Sequence, residues 1–136
     1  NKRILFLEEV TERLHLKDIT AIHGRAEEMA RKKEYRENFD LCVSRAVANL
    51  ASLSEYCIPF VRKGGFFISY KSGDVEIDLK QSQKAVKLLG GSGRDVVKFR
   101  LPNTDMGRSL VVVEKVKTTP GTYPRKAGTP GKEPLR

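Results

Sequence analysis

Apolar residues recur at Ile4, Leu7, Val10 and Leu14, a spacing that predicts a helix over Asn1 to about Leu14 with one apolar face. The pattern then changes to a short apolar run, Ile19-Thr20-Ala21-Ile22, which predicts a strand within Asp18 to His23. Arg25 to about Arg36 is charged and predicts a surface helix, and Phe39 to Ser44 predicts a second, buried strand. Asn49 is placed to cap a helix whose apolar face is Leu50, Leu53, Cys57 and Phe60. Pro59 should kink that helix or end it early. Gly64-Gly65 predicts a turn into the strand Phe66 to Tyr70. Asp74 to Leu89 predicts a helix with Val75, Leu79, Ser82, Val86 and Leu89 inward, ended by Gly90-Gly91-Ser92-Gly93 as C-cap and linker. Val96 to Leu101 and Leu110 to Val116 predict two last strands, joined by Pro102 to Gly107, too long for a tight hairpin turn.

Strands alternating with helices predict an α/β fold with a largely parallel sheet and right-handed crossovers. A last strand joined without a helix predicts an antiparallel insertion. That ending is typical of Rossmann-like methyltransferases. The segment Thr118 to Arg136 breaks the pattern. It holds four of the six prolines, with Arg125, Lys126, Lys132 and Arg136 against the single acid Glu133. Such a tail cannot build a core of its own, so it reads as a mobile end or as an arm that orders on a phosphate backbone.

Composition narrows the class. At 136 residues the chain is one domain or a piece of one, and it can bury a core. No apolar run approaches the roughly 18 residues of a membrane span. Acids come too early for a secretory signal. Cys42 and Cys57 lack metal-ligand or redox spacing, which favours a reducing, cytoplasmic setting. The net charge of +9 favours an anionic partner, most simply nucleic acid, over a merely soluble basic protein.

The chemistry is found by elimination and by position. His15 and His23 lie in no ligand motif, so no metal is expected. Cys42 and Cys57 fall on apolar faces and read as core. There is no Pro-Cys loop and no Asn-Pro-Pro-aromatic loop. No glycine loop joins a strand to a following helix, where a dinucleotide or methyl donor would need it. No catalytic group is assigned. Basic residues gather at element ends instead: Lys2 and Arg3 at the first helix, Arg25, Arg45 and Lys71 at or beyond strand ends, and Arg108 before the last strand. In an open α/β sheet, ligands bind outside the carboxyl ends of the strands. Arg25, Arg45 and Lys71 could converge on that rim, and Glu27 could accept hydrogen bonds from a ribose or an adenine edge. The competing reading of each is solubilising charge.

Read together, these segments resemble the bacterial small-subunit ribosomal RNA guanine-N7 methyltransferases. Asn1-Lys2-Arg3-Ile4-Leu5-Phe6-Leu7 is similar to the family's opening helix, and His23-Gly24-Arg25-Ala26-Glu27-Glu28 to its Gly-Arg-Ala-Glu-acid segment. Ser44-Arg45-Ala46-Val47-Ala48, Tyr70-Lys71-Ser72-Gly73 and Arg108-Ser109-Leu110-Val111-Val112-Val113 resemble three further segments, and Tyr123 to Pro130 resembles the tail. The family's strand and Gly-rich loop that hold S-adenosylmethionine are lacking, so residues 1–117 read as the C-terminal part of a methyltransferase domain and 118–136 as a basic Pro/Gly-rich tail. The absent strands would leave Ile19 to Ile22 without a neighbour. The resemblance implies that Ala26, Glu27 and Arg45 line the cofactor, and that Lys2, Arg3, Arg25, Lys71, Arg108, Arg125 and Lys126 face RNA. It implies S-adenosylmethionine-dependent methylation of guanine N7 in small-subunit ribosomal RNA, alone or in a ribosomal precursor particle, with this stretch alone inactive. The rival readings are a non-catalytic basic RNA-binding domain and a methyltransferase of the same fold with another substrate. No oligomeric state follows.

Overall fold

The computed structural model describes residues 1–45 and 48–135. Ala46 and Val47 of the second arginine segment, and Arg136 of the tail, lie outside the described residues. Helix α1 spans Lys2–Arg13, with the Asn1 side chain accepting the Arg3 amide. Glu9 and Arg13 pair along it at 2.7 Å. No residue of α1 is buried, and Leu5, Phe6 and Leu14 are exposed. The periodicity made the helix, but nothing among the described residues covers its apolar face.

The strand expected at Ile19 to Ile22 does not form, and both isoleucines are exposed. A strand needs a neighbour for its N–H and C=O groups. No described strand pairs with this segment, and β1 at the sheet edge has β2 as its one neighbour. The helix expected over Arg25 to Arg36 is also shorter. Helix α2 is only Ala26–Met29, and turns follow as far as Glu37, whose φ is +52°. There Arg31 and Arg36 bond tail carbonyls, and these tertiary bonds override local helix propensity.

Strand β1 is Phe39–Arg45 and helix α3 is Leu50–Cys57. Asn49 caps α3 as expected, its side-chain oxygen accepting the Ser52 amide at 2.9 Å. The helix stops at Cys57, and Pro59 lies in a 3-10 turn over Ile58–Phe60. Strand β2 runs over Val61–Ser72 and contains Gly64-Gly65, so that pair is not a turn. The register jumps from Phe39↔Val61 to Leu41↔Phe66, which leaves a bulge in β2. A Cβ on Gly65 would lie 2.5 Å from the Asp40 carbonyl oxygen, so glycine is required where β1 crosses the bulge. The buried strand expected at Phe39 to Ser44 is an edge strand, with Leu41 and Val43 exposed.

Helix α4 spans Glu76–Leu88 and turns Val75, Ser82, Val86 and Leu89 inward, with Leu79 partly buried. Gly90 ends it at φ +88°, and a Cβ there would lie 2.2 Å from the Lys117 carbonyl oxygen. Gly91 to Gly93 are not a linker. They open strand β3, Gly91–Arg100, which is followed by β4, Gly107–Lys115. The strand order is β1-β2-β4-β3. β1 is parallel to β2, while β4 is antiparallel to both β2 and β3. Three strands therefore share one direction and the last strand is inserted against them. This is the expected α/β sheet, largely parallel with an antiparallel last strand.

The core lies on one face of that sheet. Leu50, Leu53 and Cys57 of α3 and Val86 of α4 meet Phe67, Val111 and Val113. Burying each such side chain contributes about 1.5–3 kcal/mol. The tail does not hang free as the composition suggested. Pro124 and Pro130 are fully buried, and Thr119 caps the turn after α4 by donating to the Leu89 carbonyl at 2.7 Å. The tail builds no core of its own, but it docks on one made by others and ends in helix α5, Thr129–Lys132.

Candidate functional site

The parallel strands bring their carboxyl ends to one edge. Arg45, the last residue of β1, registers beside Tyr70, and Lys71 follows on β2. Antiparallel pairing sets Arg108 opposite Ser72 and opposite Phe99, with Arg100 opposite Gly107. Arg45, Lys71, Arg100 and Arg108 therefore occupy the same end of the sheet. A shallow hollow of about 440 Å³ there is lined by Gly73, Lys98, Phe99, Arg100 and Arg108 among others. A larger groove of about 930 Å³ between α4 and the β3–β4 side touches none of the residues expected to bind.

These cations are not equivalent. The Lys71 ammonium is 2.6 Å from the Asp78 carboxylate and donates to the Ala48 carbonyl at 2.9 Å. The other Asp78 oxygen accepts the Leu50 amide at 2.8 Å. Lys71 and Asp78 thus pin Ala48 and the first residue of α3. Arg108 is half-buried, and its guanidinium donates to the Gly107 carbonyl at 2.8 Å, with no ion pair among the described residues. Lys2, Arg3, Arg25, Arg45 and Lys126 are not buried.

A second group forms where α2 meets α3. Ala26 is half-buried, and Glu27 is 6% exposed. One Glu27 carboxylate oxygen accepts the Gly128 amide of the tail at 2.8 Å. Beside it, Tyr56 is pushed above the ordinary phenol pKa by burial and then by the Glu27 and Glu55 carboxylates, with Arg25 acting in the opposite sense. Arg25 belongs with this group electrostatically. Arg125 is engaged by Glu55, a fully buried carboxylate, through its backbone amide at 2.7 Å and its Nη2 at 2.8 Å. Arg125, expected to face RNA, is paired with Glu55 at 2.8 Å, and about a quarter of its side chain is exposed.

Sequence reasoning missed Glu55, Asp78 and the pair Glu37–Lys115. A signal did exist for the first of these. Glu55 is the one charged residue in Leu-Ala-Ser-Leu-Ser-Glu-Tyr-Cys, and a lone acid in an uncharged helix demands a partner. Cys57 is buried in the core and Cys42 packs against it as expected, and the interaction between the neighbouring thiols lowers the Cys42 pKa and, with burial, raises that of Cys57. Among the described residues no helix is long and apolar enough to cross a membrane.

Comparison with known proteins matches this arrangement to one family. The family described as rRNA small subunit methyltransferase G (GidB) matches residues 1–106. The ribosomal RNA small subunit methyltransferase G of Lachnoclostridium phytofermentans is 57% identical over 99% of this chain and 56% of its own length. That of Desulforamulus reducens is 52% identical over 99% of this chain and 56% of its own, and that of Clostridium tetani 48% identical over 100% and 57%. These alignments run through the tail, beyond the family match. The chain spans about half the length of the curated relatives it matches. It belongs to the rRNA small subunit methyltransferase G family.

Proposed function

We propose that the protein, at the length of its relatives, transfers a methyl group from S-adenosylmethionine to N7 of a guanine in small-subunit ribosomal RNA. This chain would supply the adenosine side of the cofactor pocket and part of the RNA-facing surface. The observation that carries the reading is the carboxyl edge, where Arg45 and Arg108 stand at the position at which open α/β sheets bind ligands.

The residues present fit the adenosine end of the cofactor. Glu27 is a buried carboxylate fixed by one amide, and it can accept hydrogen bonds from ribose hydroxyls. Ala26 beside it is small enough for close approach, and Arg45, at the end of β1, would meet the cofactor from the carboxyl edge of the sheet. When bound, S-adenosylmethionine would supply an activated methyl group on its sulfonium, with Ala26, Glu27 and Arg45 holding its adenosine end. N7 carries no proton to remove, so the protein needs alignment and electrostatics rather than a general base. Lys2, Arg3, Arg25, Arg108 and Lys126 meet the RNA backbone in this reading. Lys71 and Arg125, already paired, hold neighbouring segments in place.

The test is transfer of labelled methyl by the protein at the relatives' length, with the product nucleoside identified. N7-methylguanosine in small-subunit ribosomal RNA is expected. Binding of ribosomal RNA without any methyl transfer would replace the reading with a non-catalytic RNA-binding domain. Methyl transfer to another substrate would replace the RNA.

A further inference from the structure

We propose that the tail, residues 118–135, is a clasp that sets the orientation of the Glu27 carboxylate, and that Arg125 and Gly128 are positioning residues of the cofactor site. The inference rests on the reading that Glu27 lines that site. It concerns a segment, Tyr123 to Pro130, that the proposed function uses only through Lys126 on RNA and through Arg125 as a paired cation.

The clasp is fastened on both sides of Gly128. Before it, Arg125 grips the buried Glu55 through its backbone amide and its guanidinium, and donates to the Glu133 carbonyl at 2.7 Å. After it, the Pro130 carbonyl accepts the Ser52 hydroxyl at 2.7 Å. Both anchors lie on α3, a helix with an almost wholly buried surface. Gly128 between them has φ +86°, which turns its amide onto Glu27 at 2.8 Å.

The clasp also holds the segment that bears Glu27. Arg36 donates to the Thr119 and Tyr123 carbonyls at 2.9 Å each, and Arg31 donates to Pro124. A Glu37 oxygen accepts the Thr119 amide at 2.8 Å. Helix α2 has little else to hold it, being four residues long with no side-chain cap. Glu27 therefore takes its position from the tail more than from its own helix. A carboxylate bonded on one oxygen has its remaining lone pairs fixed in direction, as a ribose diol requires. A released carboxylate must be ordered by the ligand itself, which lowers affinity.

The experiment uses the protein at the relatives' length and measures S-adenosylmethionine affinity by calorimetry, with thermal unfolding alongside. Glu27→Ala tests the site. Arg125→Ala tests the clasp and should weaken cofactor binding about tenfold in a protein that stays folded. Arg125→Lys should recover only part, because one ammonium cannot replace the two-pronged contact. The RNA salt slope should not change, since Arg125 touches no phosphate in this scheme. In the Glu27→Ala background, Arg125→Ala should cost little more, because its effect runs through Glu27. Losses that simply add would make the tail a general stabiliser and overturn the proposal. So would a weakened Glu27→Ala beside an unaffected Arg125→Ala, which leaves the site reading intact. No effect of Glu27→Ala would remove the site reading itself. Should Arg125→Ala fail to fold, Gly128→Ala reads the same link, because its Cβ meets nothing within 4 Å and disturbs only the backbone angle.

Discussion

The two faces of the sheet are built from the same strands but lead different lives. On β2, Phe67 and Ser69 point to the covered face and are buried, while Phe66 and Tyr70 on the other face are exposed. On β4, Val111 and Val113 are buried, while Leu110 and Val112, which alternate with them, are only half-buried. Leu41, Val43, Val97 and Phe99 extend the outer apolar surface across all four strands. Strands apolar on both faces are those of a sheet covered twice. Here α3, α4 and the docked tail cover one face, and no described element covers the other. One covered face is enough to hold strand pairing and register. The second is an unused hydrophobic surface, larger than the isolated apolar residues that any soluble chain displays.

The sharpest way to break this comparison uses adjacent residues. Phe67 is 1% exposed and Phe66 is 38% exposed. Phe67→Ala should cost about 3–5 kcal/mol in denaturant unfolding of this chain. Phe66→Ala should cost less than about 1 kcal/mol. Equal losses would mean that the outer face is packed in solution.

That outer face should also drive association. The 136-residue chain is expected to self-associate as its concentration rises, through a bare apolar face with the unpaired edge of β1 beside it. Leu41→Lys with Val43→Lys should shift sedimentation toward the monomer, and the same change at inner-face positions should prevent folding. A monomeric parent chain at high concentration would show that the surface is less sticky than its composition implies. This chain alone is expected to show no S-adenosylmethionine binding by titration, since in the proposed reading it would supply only the adenosine side of the pocket. A monomer binding at micromolar affinity would overturn that.

The faces separate the basic residues as well. Arg108 lies on the outer side of β4, whereas Lys71 alternates inward with Phe67 and Ser69 and is held by Asp78. Arg108→Ala should lower the salt slope of RNA binding by about 1, as expected for one phosphate contact. Lys71→Ala should leave the slope unchanged and instead loosen Ala48 and the start of α3, seen as faster amide exchange at Leu50. A drop in slope with Lys71→Ala would return it to the RNA surface.

Where sequence and structure part company, the missing information is long-range. Helices α1, α3 and α4 and the cores of all four strands follow from local periodicity and from the Asn49 cap. The bulge at Gly64-Gly65 depends on the Asp40 carbonyl, and the need for glycine at Gly90 depends on Lys117. Neither partner is visible from the local pattern. Ile19 to Ile22 has strand composition but no strand to pair with. The tail reads as disordered because prolines and charges dominate it, yet Glu27, Glu37 and Glu55 lie far away in sequence to receive it. Arg45, Lys71 and Arg108 were legible at the rim because their strand ends can be located from pattern alone, whereas Arg25 was placed there by a strand that does not form. Which of them are free and which are paired was not.

The smallest effect separates two lysines by the sign of their pH dependence. Lys115 points to the covered face, fully buried, and donates to the Ile58 and Val61 carbonyls at 3.0 Å each beside Glu37 at 2.9 Å. Burial pushes its pKa below the ordinary 10.5, and the Glu37 contact opposes this without cancelling it. Between that lowered value and 10.5 the unfolded chain holds more protons than the folded one, so stability rises with pH there. Exposed Lys98 has the opposite shift, raised by its hydrogen bond to Glu76. Its contribution is present below 10.5 and is lost only as pH rises through the raised value. Relative to the parent, Lys115→Met should therefore lose a contribution that rises with pH toward 10.5, against the opposite slope of the raised Cys57 and Tyr56, while Lys98→Met keeps that rising contribution and removes only a decline above 10.5. A Lys115→Met profile parallel to the parent's would show that the buried ammonium is fully compensated by Glu37 and the two carbonyls, and that the covered face tolerates a charge without any pH signature.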